Sequence, residues 1–286
     1  MKKKILVTSD AGFIETNLIK QQINLYPKES IYSLDCYNSG TEKNHIYGVN
    51  YIKGYSWEIF DYFHPEEVEL IFHFGEYSRI VQSFDESDFV SESIFRGTPK
   101  VLEFAVQAKC KFIYSASSSK FGNNGADENL SPYSFMKSKM VEMIKNYKSW
   151  FDLDYEIVYF FNVYGPHQIY TGKYATVIAL FEKQKKSNEP LTIVKPGTQS
   201  RDFTHVYDIV DGLIKIMRRN ENQEWHLRSG VNTTIIELAE MFGGKYTFIP
   251  ERRGERFTSE EFPSETEEIL KWKPQKRLSD WISEVS

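Results

Sequence analysis

Short apolar runs alternate with longer helical patterns through the first half of the chain. Apolar runs of roughly four to eight residues bounded by polar turns are typical of strands buried on both faces of a parallel sheet. Runs of this kind predict strands at 4–8, 30–34, 51–53, 69–74, 111–115 and 155–161. Helical patterns fall between them at 12–25, 89–107 and 132–151. The alternation predicts βαβ units, and so an α/β fold with a doubly wound parallel sheet.

Two further features of the pattern bear on the architecture. Pro99 falls inside the predicted helix at 89–107, so that helix either begins at Pro99 or bends there. The second half is less regular, with helices predicted at 175–186, 207–217, 234–242 and 278–284 and strands at 191–194 and 246–249. Since no Gly/Ser linker separates the halves, we expect two lobes around one cleft.

Composition and charge exclude several classes of protein. The 286 residues include 35 basic and 40 acidic side chains, giving a net charge of −5, whereas nucleic-acid and anionic-membrane binders carry a basic excess. The two cysteines form no CxxC pair, and the six histidines show no metal-binding spacing. No apolar stretch is long enough to span a membrane. We therefore expect a cytoplasmic protein with no metal site.

The turn after the first predicted strand is the first candidate site. A glycine-rich turn at this place lets a dinucleotide diphosphate sit on the helix N-terminus. Only Gly12 of the three glycines in the full pattern is present, because Ser9 and Glu15 occupy the other two positions. An ordinary strand-turn-helix would explain the segment equally. Asp35, which follows the second strand, stands where a carboxylate can accept ribose hydroxyls.

Tyr133 and Lys137 form the second candidate site. Their i, i+4 spacing places them on one face of a helix, where the lysine charge would lower the pKa of the tyrosine toward the working range. Ser117 belongs to a serine run at the end of the fifth predicted strand, which faces the ligand crevice of such a sheet. A chance YxxxK match and a solvated serine loop are the alternatives.

The third set lies further along the chain. Asn162 follows the sixth predicted strand, where an amide can hold a substrate hydroxyl or phosphate. Arg201 and Arg252 lie in the second half, and arginine is suited to phosphate because its planar guanidinium makes paired hydrogen bonds. For either arginine, a surface salt bridge is the alternative interpretation.

Taken in order, these segments resemble the extended short-chain dehydrogenase/reductase family, and within it the nucleotide-sugar 4-epimerases. The matching segments are 4–8 with 11–14, 34–35, 71–74, 97–98 with 101–103, 117–122, 131–133 with Lys137, 161–166, 201–206 and 270–274. The resemblance implies a Rossmann domain at 1–163, with a returning segment near 203–220. It also implies a smaller, mixed C-terminal lobe at 164–286 that binds a nucleoside-diphosphate sugar.

The resemblance also implies roles for individual residues. Tyr133 would be the acid/base, Lys137 would hold the nicotinamide ribose, and Ser117 would be the catalytic hydroxyl. Contacts to NAD would come from Ser9, Ala11, Gly12, Phe13, Ile14, Asp35, Phe74, Gly75, Tyr133 and Lys137. Substrate contacts would come from Ser118, Asn162, Arg201 and Arg252. In this family the helix that carries the YxxxK motif and the helix that ends near Gln107 commonly pair with their copies, which implies a homodimer. Met136, Met140, Val141, Ile144 and Tyr147 would supply the face, with packing inside the monomer as the alternative.

The reaction is narrowed by what the chain lacks. Dehydratases of the family place Asp-Glu directly after the catalytic hydroxyl, and the related decarboxylases keep the glutamate, where this chain has Ser118 and Ser119. Hydroxyls cannot do that proton transfer. What remains is oxidation and re-reduction at C4. A 4-reductase and a catalytically silent sugar-nucleotide binder stay as alternatives, since Glu15 and Glu76 depart from the family along the expected cofactor track.

Overall fold

The computed structural model describes residues 3–9, 11–122, 125–257 and 265–286. Asp10 of the first turn and residues 258–264 of the C-terminal half lie outside these ranges. The strands, numbered along the chain, are β1 (Lys4–Ser9), β2 (Ile31–Asp35), β3 (Asn50–Lys53), β4 (Val68–His73), β5 (Lys111–Ser117), β6 (Tyr155–Phe160), β7 (Asn162–Tyr164), β8 (Leu191–Val194), β9 (Ser200–His205), β10 (Glu224–Leu227), β11 (Asn232–Thr234) and β12 (Tyr246–Ile249).

The helices flank and connect these strands. They are α1 (Phe13–Gln22), α2 (Ile59–Tyr62), α3 (Ser87–Ser91), α4 (Gly97–Ala108), α5 (Pro132–Phe151), α6 (Val177–Lys186), α7 (Val206–Ile216), α8 (Ile235–Phe242), α9 (Thr266–Leu270) and α10 (Leu278–Val285). Several short 3₁₀ turns join them. Within the described part of the chain, no helix has the length and apolar character needed to cross a lipid bilayer.

A central sheet of seven strands runs in the order β10-β6-β5-β4-β1-β2-β3, and every neighbouring pair in it is parallel. The strand order reverses between β1 and β4, which opens a crevice at the carboxyl ends of the strands. The expected Rossmann-type, doubly wound sheet is confirmed. The sheet takes its outermost strand, β10, from the second half of the chain. The sequence pattern predicted no strand at these residues, Glu224–Leu227.

Alternating side chains of each strand enter two separate cores. On β1, Leu6 packs on the face covered by α4 and α5, while Ile5 and Val7 pack on the face covered by α1 and α7. Both cores are built from fully buried aliphatic and aromatic side chains. This period of two fixes the register of the strands, because a shift by one residue would exchange the two faces.

Helix α5 contributes most of its apolar face to the monomer. Met140, Val141 and Ile144 are buried in the core beneath α5, and Met136 and Tyr147 pack partly against it. The expectation that this face as a whole is free to meet a second copy is therefore wrong for the three buried residues. They satisfy the amphipathic pattern by packing within the chain.

The predicted helix with Pro99 runs instead from α3 to α4 without a break. A turn of π-helix at Glu92–Arg96 joins the two segments. Pro99 has no N–H with which to bond the carbonyl of Phe95, and π turns accommodate such an interruption of the α-helical ladder. Of the two sequence-based alternatives, a helix that begins at Pro99 is not observed, since helical structure continues on both sides of this residue.

The smaller lobe is built on a mixed sheet, as expected. Strand β9 pairs in parallel with β7 and antiparallel with β11, and β8 pairs with β12 in a separate two-stranded ribbon. Its own core includes Phe181 of α6, Leu238 and Phe242 of α8, and Ile282 of α10. The lobe therefore has an independent apolar centre beside the carboxyl edge of the main sheet.

Asp202 of β9 organises the connection from β10 to β11. Its Oδ1 accepts hydrogen bonds from the backbone N–H of Ser229 at 2.9 Å and from the Ser229 hydroxyl at 2.8 Å. Its Oδ2 accepts from the N–H of Gly230 at 2.8 Å. The side chain is only 2 % exposed, so these bonds form where water cannot replace them.

We predict that Asp202→Ala lowers the free energy of unfolding by about 2–4 kcal/mol, since it removes a buried carboxylate that accepts hydrogen bonds from Ser229 and Gly230. Urea denaturation followed by circular dichroism measures the loss. Asp211→Ala on α7 is the matched control, because the exposed pair of Asp211 with Lys215 contributes less than about 0.5 kcal/mol. Equal stabilities of the two variants would contradict the structural role of Asp202.

Candidate active site

A cleft of about 440 Å³ lies between the carboxyl edge of the main sheet and the smaller lobe. Side chains from both halves line it, including Ser117 and Tyr133 on one side and Arg201 and Arg252 on the other. The position follows from topology, because ligands of open parallel sheets bind outside the carboxyl ends where the strand order reverses.

Tyr133 is placed by a well-formed helix start. Ser131 is the N-cap of α5, its hydroxyl accepting a hydrogen bond from the N–H of Ser134 at 3.1 Å, and Pro132 occupies the first helical position. Tyr133 and Lys137 then fall on the same buried face, and both reach the cleft. The helix thus presents the pair to the end of β5 without strain.

Ser117 is arranged to donate a hydrogen bond to the phenol oxygen of Tyr133. The Ser117 Oγ accepts from the N–H of Ser119 at 3.2 Å and from the Ser119 hydroxyl at 2.9 Å. Its own hydrogen is left for the phenol oxygen, and this bond lowers the pKa of Tyr133. Ser119, which stands where dehydratases carry their glutamate, therefore serves here to orient Ser117.

The pKa of Tyr133 does not follow the sequence expectation. Burial, with a smaller contribution from the nearby Glu76 carboxylate, raises the pKa of Tyr133 to about 12 against the lowering effects of Ser117 and Arg79. The expected depression of the pKa by Lys137 is therefore wrong for this structure. The reason is that the Lys137 ammonium is already paired with the Glu76 carboxylate.

Glu76 holds the Lys137 ammonium. The ammonium donates to Glu76 Oε2 and to the carbonyl oxygen of Ser115, and it lies 4.1 Å from the ring centroid of Tyr114. The Lys137 and Glu76 side chains are 5 % and 2 % exposed. Desolvation lowers the pKa of Lys137, and the contact with Glu76 raises it. The two side chains form a buried ion pair one helical turn from Tyr133.

A directed chain of hydrogen bonds fixes the Glu76 carboxylate. Thr98 donates its hydroxyl to Glu76 Oε1, so it must accept from His73 Nε2, which lies 2.9 Å away. His73 Nδ1 then accepts from the hydroxyl of Thr8 at 2.6 Å. Burial lowers the pKa of His73 to about 4, which keeps the ring neutral and consistent with this tautomer. Tyr114 adds a fourth donor to the network at 3.1 Å.

The other end of the cleft carries the residues expected to contact a dinucleotide. The cleft is lined there by Ser9, Gly12, Phe13, Ile14 and Phe74. Gly75 faces a small side pocket shared with Ser9. A Cβ at Gly75 would lie 3.0 Å from the Ser9 nitrogen, so a larger residue would require the backbone to shift at this close approach of β1 and the end of β4.

Two expected cofactor residues lie behind this surface. Asp35 is fully buried, and its Oδ1 accepts from the N–H of Tyr37 at 2.5 Å. Ala11 is also buried, with the unusual φ of 38° and its carbonyl bonded to Asn44 Nδ2 at 2.9 Å. Neither residue lines the main cleft, so they shape the turn from within.

Glu15 lies in the first turn of α1 and lines the cleft. It is 1 % exposed, so its side chain does not point to solvent. Its charge, together with that of Asp35, raises the pKa of Tyr51, although burial is the larger cause and brings that pKa to about 12. An anionic ligand at the start of α1 would therefore meet a buried carboxylate.

The sugar side of the cleft is lined by all four residues expected to bind substrate, namely Ser118, Asn162, Arg201 and Arg252. Arg201 also forms a salt bridge with Glu255 at 2.6 Å. Asn162 Nδ2 donates to the carbonyl of Asp202 at 3.3 Å, which orients the amide.

Sequence reasoning missed several residues of this cleft. Arg256 is 5 % exposed and donates to the Ser118 hydroxyl at 3.4 Å. Arg79 and Gln82 donate to the carbonyls of Tyr174 and Lys173, and thereby hold a loop of the second half across the cleft mouth. These contacts join residues about 90 or more positions apart, for which no local motif exists. Within the described ranges, no cluster of His, Cys, Asp and Glu is suited to a metal ion.

The comparisons with known proteins place this arrangement in a family. The model of the NAD dependent epimerase/dehydratase family matches residues 5–228. The chain belongs to this family. The UDP-glucose 4-epimerase of Mycolicibacterium smegmatis is 26 % identical, with 99 % of this chain and 97 % of that protein covered. Human dTDP-D-glucose 4,6-dehydratase is 24 % identical over 83 % of this chain and 72 % of its own length.

A solved structure gives the same result for the fold. The UDP-glucose 4-epimerase of Thermotoga maritima, solved with UDP-glucose, superimposes with a TM-score of 0.89 at 24 % identity. The alignment covers 99 % of this chain and 97 % of that one. The shared architecture therefore extends through both lobes and does not stop at the central sheet.

The cleft fits the NAD of this family. Gly12, as the N-cap of α1, supplies no side-chain cap, so the first-turn N–H groups are not occupied by it. Gly75 gives the close backbone approach described above. One continuous cleft, lined by Phe13, Ile14, Tyr133 and Lys137, extends from that turn to Tyr133. The buried carboxylate of Glu15 opposes an anionic cofactor.

We predict that Glu15→Gly tightens NAD binding at least several-fold. Two like charges about 5 Å apart at an effective dielectric of about 20 repel by roughly 3 kcal/mol, an upper bound near a hundredfold in affinity. Calorimetric titration of NAD⁺ measures the dissociation constant. Glu15→Gln separates charge from packing, and Glu240→Gln on the exposed face of α8 is the control. Dissociation constants equal to that of the unmodified protein for both Glu15 variants would disprove the effect.

Proposed function

We propose that this protein is an NAD-dependent nucleotide-sugar 4-epimerase, which inverts C4 of a nucleoside-diphosphate sugar through a transient 4-keto sugar. The observation that carries the proposal is the hydrogen-bonded pair of Tyr133 and Ser117 in a cleft shared by the two lobes. The family and the epimerase relatives support it. The relatives also include a dehydratase, so the choice between these reactions depends on the residues of this chain.

In the proposed reaction, NAD supplies a reversible hydride acceptor. Tyr133 takes the proton of the C4 hydroxyl as the hydride leaves that carbon, and returns it when the hydride comes back to the other face of the ketone. Ser117 donates its hydrogen bond to the phenol oxygen of Tyr133, which stabilises the phenolate and keeps the ring oriented. A tyrosinate with a pKa lowered from about 12 by the positive charge of the oxidised cofactor would be the base.

The hydroxyls after Ser117 argue against dehydration. Ser119 donates to Ser117, and Ser118 accepts from Arg256, so both have positioning partners in place of the acid/base pair. Neither hydroxyl has a pKa that could move a proton at C5 or C6 near neutral pH. We therefore assign the simpler oxidation and re-reduction at C4.

The substrate diphosphate is proposed to lie against Arg201 and Arg252, which line the lobe side of the cleft. Asn162 would hold a sugar hydroxyl or a phosphate oxygen. The two cysteines form no CxxC pair, which favours a reducing compartment, and we propose the cytoplasm as the place of action.

The decisive experiment incubates the protein with NAD⁺ and a panel of nucleotide sugars that differ in base and in C4 configuration. NMR then follows the C4 proton. Interconversion of one pair without net change of NAD supports the epimerase, whereas net consumption of NADH with a keto sugar identifies a 4-reductase. Binding of a nucleotide sugar without turnover identifies the silent binder, for which Glu15 and Glu76 are the specific grounds.

For the substrate found in this way, we predict that Tyr133→Phe lowers kcat by about 10²–10⁴-fold, because it removes only the ionisable oxygen. Thermal unfolding and sugar-nucleotide binding should change little. Tyr170→Phe, an exposed phenol of the cleft-mouth loop, is the control. Turnover of Tyr133→Phe within about threefold of the unmodified enzyme would show that another group is the acid/base.

We also propose a homodimer formed through the outer surface of α3, α4 and α5. Phe95 and Phe135 contact each other edge to face and are 37 % and 39 % exposed, and Trp150 and Phe151 at the end of α5 are more exposed still. Clusters of exposed aromatic side chains on neighbouring helices are typical of interfaces.

Light scattering at micromolar concentration should give twice the chain mass of 33.6 kDa. Phe135→Asp should shift the mass toward the monomer, since it places a charge in the apolar centre of the interface. Tyr47→Asp, at an aromatic side chain that is 95 % exposed elsewhere, should not. A monomer mass for the unmodified protein would refute the dimer.

A further inference from the structure

Lys137 and Glu76 together contribute no net charge to the cleft, whereas the lysine alone would contribute one positive charge. Both side chains are almost fully buried, so solvent screens their charges only weakly. Both are also fixed in place: Lys137 donates to Glu76 and to the Ser115 carbonyl, and Glu76 accepts from Thr98 and Tyr114. The Glu76 carboxylate beside Lys137 therefore changes the local electrostatic potential permanently.

The reacting end of the cofactor must lie within reach of this pair. The group that takes the hydroxyl proton and the group that takes the hydride act on the same carbon, so the nicotinamide ring has to approach the substrate beside Tyr133. Lys137 lies one helical turn from Tyr133 on the same face, and Glu76 lines the same cleft. The charge on the ring is thus close to both side chains.

Oxidised and reduced cofactor differ in that charge. Addition of a hydride to NAD⁺ neutralises the positive nicotinamide ring and gives NADH. An unpaired lysine would favour the neutral ring by repulsion, and a carboxylate beside the lysine removes that preference. The potential at this point therefore acts on the ratio of the two affinities and not on binding in general.

We propose that Glu76 sets the balance between bound NAD⁺ and bound NADH, by cancelling the charge of Lys137 and so keeping the cofactor in its oxidised form. The inference rests on the proposed function only in that it needs the nicotinamide beside Tyr133. It does not depend on which sugar is bound. A cleft that disfavours NADH suits an enzyme that must give its hydride back, and it opposes a 4-reductase that would draw NADH from solution.

The expected size follows from Coulomb's law. Two unit charges about 10 Å apart at an effective dielectric of about 20 change an equilibrium by roughly tenfold or somewhat more. The quantity to measure is the dissociation constant for NADH divided by that for NAD⁺, which cancels every contact that the two forms share. A packing defect alone would weaken both forms and leave this quotient unchanged.

The test titrates NAD⁺ and NADH separately into the full-length protein by calorimetry at pH 6.5, with no sugar present. Glu76→Gln should lower the quotient about tenfold, toward NADH. Lys137→Met should raise it by a similar factor, and the double variant should return close to the unmodified protein because both charges are gone. Glu156→Gln is the matched control, since Glu156 is a fully buried carboxylate near the opposite, amino end of β6.

The outcomes separate this inference from the proposed function. Quotients within twofold of each other in all the variants, with both forms still bound, would overturn the role of Glu76 and leave the epimerase intact. Failure of the unmodified protein to bind either form would overturn both. If Glu76→Gln alone does not fold, Lys137→Met and the double variant still decide, because removal of both members of a buried ion pair is commonly tolerated. Equal quotients in those two proteins would disprove the effect.

Discussion

The ion pair of Glu76 and Lys137 is the interaction around which the carboxyl edge of the sheet is assembled. Removing two charges from water is costly, and the cost is recovered only when every partner is in place. Those partners come from separate elements: Thr98 from α4, Tyr114 and Ser115 from β5, and Lys137 from α5. His73 and Thr8 extend the network to β4 and β1. The position of Lys137 beside Tyr133 is thus coupled to the packing of these strands and helices at the carboxyl edge of the sheet.

The same network shows how a family site can be kept in outline and changed in character. Tyr133, Ser117 and Lys137 remain together at the end of β5. Lys137, however, does not lower the pKa of Tyr133, because its charge is balanced by the Glu76 carboxylate. An oxidised cofactor would then have to supply the positive potential that activates the phenol. Binding of the correct cofactor form and activation of the base become one event.

Local sequence patterns predicted what depends on neighbours along the chain. The period-two strands, the cap of α5 at Ser131 and the i, i+4 pair of Tyr133 and Lys137 each follow from residues a few positions apart. Three features did not. The partner of Lys137 lies 61 residues away, and Arg256 reaches Ser118 across 138. Strand β10 has only four residues, and its pairing with β6 defines it as a strand of the main sheet. Contacts of this kind are settled by the fold and leave no periodic trace.

That late strand has a consequence for how the protein is made. The central sheet is incomplete until β10, which pairs with β6, has been added from residues 224–227. While the chain is being synthesised, β6 has an unpaired outer edge during the whole interval in which the next 60 or so residues emerge. Five of its six side chains are buried in the final structure, and apart from Glu156 they are aliphatic or aromatic, so the unpaired strand exposes mostly apolar side chains. The first 163 residues, which carry Tyr133 and the turn at Gly12, therefore lack the strand that covers β6, and a chaperone that shields β6 would act during the interval before β10 is made.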